Sequence, residues 1–129
     1  MLDLKKIHHI AIICSDYPVS KHFYTEILGL KILKETYREK RDSYKLDLAI
    51  GEAYVLELFS FPHPPARVSR PEAQGLRHLA FEVKDVAKER EKLLNLGIEV
   101  EEVRIDEITG KKFTFFADPD DLPLELYEK

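Results

Sequence analysis

The chain has 129 residues, 44% of them apolar and 34% charged, and carries a net charge of −4. That balance excludes a disordered chain, and mild acidity without a long basic run argues against a nucleic-acid partner. No apolar stretch approaches the roughly 20 residues that cross a bilayer, residues 1–7 lack the apolar centre of a signal peptide, and the single Cys14 excludes an internal disulfide framework. A cytoplasmic protein with no membrane partner is expected.

In chain order, an apolar strand starts at His9 and runs to Asp16, which is placed to cap a helix. Val19, Phe23, Ile27 and Leu30 recur at helical spacing, and Leu28-Gly29 stops the helix. Three strands are predicted next, over 31–39, 43–50 and 54–60. Residues 61–75 hold four prolines and read as an extended linker. A second strand then starts at His78 and reaches Asp85. Val86, Arg90, Leu93 and Leu94 predict a helix closed by Leu96-Gly97, and strands are predicted over 98–105, 111–117 and 122–128.

This order is a repeat. His9, Ala11 and Asp16 recur as His78, Ala80 and Asp85, 69 positions later. The last strands match around a central Glu: His9 to Glu57 is 48 positions and His78 to Glu125 is 47. The expected fold is α+β, with two βαβββ modules related by a pseudo-twofold in one domain over 1–129. Module 1 spans 5–60, the linker 61–75 and module 2 76–128.

Side chains alternate across a strand. Ile7, Ala11 and Ile13 share a face with His9, Val55 and Phe59 share one with Glu57, and Pro123 and Tyr127 flank Glu125. A carboxylate among such neighbours needs a partner, because an unpaired buried charge is costly. A lone His or Glu on a strand is ordinarily structural or solvated, but symmetric placement of two His–Glu pairs points to a shared divalent cation. Imidazole and carboxylate donors suit zinc, nickel, cobalt, iron or manganese. His8 is expected on the opposite face, and His22 and His63 at the surface.

At these residues the chain resembles the vicinal oxygen chelate superfamily, and within it the glyoxalase I-like proteins. The resemblance runs through His9 to Asp16, Phe23-Tyr24 with Leu28-Gly29-Leu30, Glu57, His78 to Asp85, and the stretch from Phe116 to Leu126. That last stretch resembles the family's Asp-Pro-Asp-Gly signature, with Asp121 in the glycine position. The resemblance implies strands curving around a metal-binding cleft, with His9, Glu57, His78 and Glu125 as the ligands of a divalent ion, zinc or nickel foremost. It also implies a lyase or isomerase acting on a small substrate with vicinal oxygens through an enediolate, with Glu125 or Glu57 as the base. Arg41, Arg77 and Lys112 are candidate anion contacts, and Phe59, Phe113, Phe115 and Tyr127 candidate apolar walls. Glyoxalase I proteins carry an Arg that grips glutathione where Ile13 stands here, so the thiol is left open. The alternatives are a non-catalytic protein that binds an antibiotic or toxin, and an iron-dependent dioxygenase of the extradiol type. A homodimer is expected, because modules this small leave sheet edge and apolar surface uncovered.

Overall fold

The computed structural model describes residues 1–129 and divides them into two units, Met1–Pro65 and Ala66–Lys129. In the first unit, β1 (Ile10–Cys14) alternates cleanly: Ile12 and Cys14 are buried, whereas Ala11 and Ile13 are exposed. Asp16 then caps α1 (Tyr17–His22), its carboxylate accepting the Val19 N–H at 3.3 Å. The helix widens into a π turn over Phe23–Ile27, in which the Leu28 N–H reaches back five residues to the Phe23 carbonyl. The sheet is completed by β2 (Lys31–Arg38), β3 (Ser43–Ile50) and β4 (Ala53–Ser60), in spatial order β1-β4-β3-β2. β1 runs parallel to β4, and the other pairs are antiparallel.

The second unit repeats the plan. β5 (Leu79–Val83) leads to α2 (Val86–Asn95), then β6 (Arg104–Ile105), β7 (Lys112–Ala117) and β8 (Pro123–Glu128), in order β5-β8-β7-β6. Asp85 caps α2 through the Lys88 N–H at 3.0 Å. Gly97, at φ 79°, ends it, with Ile98 N–H bonding the Leu93 carbonyl and Gly97 N–H bonding Leu94. These are the two bonds of a Schellman cap, and the left-handed residue between them favours glycine. Replacing Asp85 by Ala removes the side-chain acceptor and should cost about 1 kcal/mol, read as a lower denaturation midpoint.

The architecture is α+β, two βαβββ modules, each with one packed sheet face. In the first unit Leu46, Leu48, Leu56 and Leu58 form that face with Phe23 and Tyr24. In the second, Leu79, Leu124 and Leu126 form it with Val86 and Leu93. No helix is long and apolar enough to cross a membrane.

Two local expectations are corrected. Val19 is half exposed, and the face that α1 buries is Ser20, Phe23 and Tyr24, because the wide turn rotates the apolar positions away from simple helical spacing. The predicted strand over 98–105 is confined to Arg104–Ile105. Residue 101 is tied to β7 by other means. Its carboxylate accepts the Phe115 N–H at 3.1 Å, and its carbonyl accepts the Thr114 hydroxyl at 2.9 Å and the Arg90 Nε at 2.6 Å. One backbone bond, from the Glu101 N–H to the Phe115 carbonyl at 3.2 Å, also joins them, but no continuous ladder forms.

Candidate metal centre

In both units the parallel first and last strands place an Ala beside the central Glu: Ala11 is opposite Glu57 and Ala80 opposite Glu125. Since paired residues point to one side of a sheet, both carboxylates lie on the face away from the leucine core. Each is nonetheless only 8% exposed. A His just ahead of the first strand reaches each one. His9 Nε2 lies 3.3 Å from a Glu57 oxygen, and His78 Nε2 lies 3.0 Å from a Glu125 oxygen.

The structure therefore gathers the four ligand-type residues as two pairs, one in each unit. Within either unit no larger group of His, Cys, Asp and Glu assembles. The donor set, one imidazole and one carboxylate in each unit, fits a divalent ion in its chemistry. The Nδ1 of His78 is buried and has no hydrogen-bond partner.

Beyond these pairs the two units differ. Around Glu57 the surroundings are polar and charged. Tyr54 donates its hydroxyl to the Glu57 carboxylate and also reaches Asp47 at 3.3 Å. Lys45 Nζ lies 2.8 Å from Asp47 and 3.6 Å from Glu57. Burial, and then the Glu57 carboxylate beside it, push the Tyr54 phenol well above its ordinary range, so it stays protonated and donates. Asp47, ahead of the other causes, holds the Lys45 ammonium charged. Around Glu125 the equivalent ladder positions are aromatic. Phe113 stands where Lys45 does, opposite the residue two beyond the Glu, and Phe115 stands where Asp47 does, directly opposite the Glu. Leu122 occupies the place of Tyr54, three residues ahead of the Glu. Glu125 is paired with His78 alone, and the His78 ring meets the Phe115 ring edge-on at 5.0 Å.

The remaining candidates sort as follows. Phe59 lies under the Arg38 guanidinium at 4.8 Å, and Arg41 lies over Phe61 at 5.0 Å. Phe113 stacks on Tyr127 and carries Arg104 at 4.7 Å. Arg77 pairs with Glu72 at 2.9 Å and borders a cleft of about 750 Å³ in the second unit, along with His78 and Phe115. Lys112 is exposed and does not border that cleft. His22 and His63 are exposed, and Asp121 holds the left-handed turn at φ 64°. His8 corrects the expectation: its Nδ1 lies 2.8 Å from the His9 Nδ1, and its ring meets Tyr54 edge-on. Both histidines precede β1, so strand alternation does not separate them.

Tyr54, Lys45, Asp47 and Arg104 were not among the residues singled out from the sequence. Counted from the turn at Gly51-Glu52 alone, Leu46 would stand opposite Glu57; the register shift between Leu48 and Ala49 puts Asp47 there instead, and no sequence signal announces it. Tyr54 carried no such signal either, since its hydroxyl reaches Glu57 from the neighbouring turn of the strand.

Comparison with known proteins agrees with the paired-module fold. The family model of the Glyoxalase/Bleomycin resistance protein/Dioxygenase superfamily matches residues 6–126. The chain is 63% identical to the protein YwkD of Bacillus subtilis (strain 168), covering 98% of each. It is 49% identical to a glyoxalase family protein from Enterococcus faecalis of known structure, with a TM-score of 0.89 over 98% of this chain and all of that one. It is 25% identical to the trypanothione-dependent glyoxalase I of Leishmania major, with a TM-score of 0.77 over 97% of this chain and 87% of that one. Proteins of this kind bind small molecules and commonly use a divalent metal. With its family model spanning nearly every residue and both modules in place, this chain belongs to the Glyoxalase/Bleomycin resistance protein/Dioxygenase superfamily.

Proposed function

We propose that this chain is a divalent-metal-dependent lyase or isomerase of the glyoxalase I type, which moves a proton between adjacent carbons of a small substrate carrying two neighbouring oxygens. The observation that carries this reading is the duplicated His–Glu pair, held at one ladder register on the unpacked face of each sheet. His9, Glu57, His78 and Glu125 are the proposed ligands, with zinc or nickel favoured by the mix of imidazole and carboxylate. The bound ion would supply Lewis-acid stabilisation of negative charge developing on the substrate oxygens.

The residues then divide the remaining work. Glu57, which accepts the Tyr54 hydroxyl and lies 3.6 Å from the Lys45 ammonium, is the proposed anchor. Glu125, with His78 as its one partner and aromatic rings at the neighbouring positions, is the proposed base. Phe113, Phe115 and Tyr127 would exclude water from the proton in transit. Tyr54→Phe removes a donor to a ligand without removing the ligand, and should weaken metal binding by about 10- to 100-fold in a competitive chelator titration. An unchanged affinity would remove Tyr54 from this role.

Metal quantification of the purified protein, followed by a hemithioacetal isomerase assay with glutathione and other thiols, tests the whole reading. Stoichiometric zinc, nickel or cobalt with isomerase activity lost on chelation supports it. Absence of stoichiometric metal would leave a small-molecule binding protein instead, and iron with oxygen consumption a dioxygenase. Testing several thiols matters because Ile13 is an exposed apolar residue with no cation to offer a glutathione carboxylate. A homodimer in the cytoplasm completes the proposal, with sedimentation equilibrium as the measurement of its mass.

A further inference from the structure

The cleft of the second unit is bordered by four arginines, Arg67, Arg70, Arg77 and Arg104. Two have their charge matched by carboxylates: Arg77 pairs with Glu72 at 2.9 Å and Arg104 with Glu101 at 2.9 Å. The other two do not. Arg67 is held only by neutral acceptors, the Ser69 hydroxyl at 2.6 Å and the Leu76 carbonyl at 3.1 Å. Ser69 in turn donates to the Asp121 carbonyl at 2.6 Å, which fixes the segment that presents both arginines. Arg70 is exposed and makes no hydrogen bond or ion pair at all. We infer that this cleft binds a small molecule through a single terminal carboxylate or phosphate, gripped by Arg67 and Arg70.

The chemistry follows from the guanidinium. Its planar fork offers parallel N–H groups that match the oxygens of a carboxylate or phosphate two at a time. Arg67 keeps two of its nitrogens engaged with neutral groups, so its orientation is set while its charge is unspent. A side chain already ordered loses less entropy when the ligand arrives. Two carboxylates without a basic partner, Glu99 and Asp121, also border the cleft. They would repel a polyanion and accept hydrogen bonds from hydroxyls, which limits the ligand to one anionic end and a hydroxylated body. His78 lies on the same cleft. The inference deepens the proposed function and rests on it in one respect: that the bound molecule is the substrate, with its anionic end at the arginines.

The test is a titration of the full-length protein with inorganic phosphate in one arm and glycolate in the other, followed by the ¹⁵N-resolved side-chain N–H signals of arginine. Saturable shifts are expected in at least one arm, and the arm with the tighter binding names the anion. Arg70→Ala, at an exposed residue without partners, should weaken that binding about tenfold or more, given the usual strength of charge-assisted bonds. Lys31→Ala, an exposed cation of the first unit, should leave it unchanged. Arg67→Ala should weaken it too, and circular dichroism will show whether loss of its bond to Leu76 disturbs the fold. No saturable shift in either arm, or equal weakening in the Arg70 and Lys31 variants, overturns the inference. Anion binding needs no metal, so it can succeed where metal quantification fails, and the reverse; the two readings fall separately.

Discussion

Glu125→Gln is expected to lower proton exchange at the reacting carbon by about 10²- to 10⁴-fold, the usual contribution of a positioned acid–base group. The substitution keeps the shape and one oxygen donor while removing the carboxylate that receives the proton. It should be followed by NMR in heavy water, with a hemithioacetal as substrate and metal content measured on the same sample. Glu57→Gln makes the informative partner. That change alters the acceptor of the Tyr54 hydroxyl, so its main effect is expected on metal affinity and not on exchange by the fully loaded protein. Equal effects of the two substitutions on exchange at saturating metal would show that the carboxylates act alike, and the difference in their surroundings would then carry no catalytic meaning.

Leu124→Ala is expected to destabilise the second unit by about 2–5 kcal/mol, the range for removing a fully buried leucine. Leu124 has no exposed surface and sits on β8 immediately before Glu125. The change should appear as a lower denaturant midpoint. Ile108→Ala offers the contrast, because Ile108 is 95% exposed and its truncation should stay within about 0.5 kcal/mol. If the two variants were equally stable, the assignment of the leucine face as the core would be wrong.

Much of this was legible in the sequence. Asp16 and Asp85 announce both helices, because a capping carboxylate is a local device and needs no knowledge of the fold. The strands holding Glu57 and Glu125 were readable because a repeat shows each twice. What stayed hidden depended on tertiary context. The wide turn at Phe23–Ile27 has the same composition as an ordinary helix, so spacing alone misassigned Val19 to the buried side. The stretch before Arg104 has strand-like valines and isoleucine, yet Glu101 alone ties it to β7, through side-chain bonds and a single backbone bond. His8 looked separable from His9 by alternation, which holds only inside a strand. The unequal surroundings of the two carboxylates were invisible for a related reason. The repeat preserves what the copies share, and Lys45, Asp47 and Tyr54 are where they differ from Phe113, Phe115 and Leu122.

The shared ladder register has a consequence for how the chain can change length. Because side chains alternate, one residue deleted inside β4 or β8 would turn the glutamate inward and a leucine outward. Such a deletion should abolish the pair beside His9 or His78 even though no functional residue is lost. In the turn at Gly51-Glu52 or in the loop over 106–111, by contrast, a residue can be gained or lost without touching the register. The histidine-to-glutamate separations of 48 and 47 residues already differ by one. Insertions tolerated by a family of such chains should therefore concentrate between strands, while the ladder beside each carboxylate keeps its count.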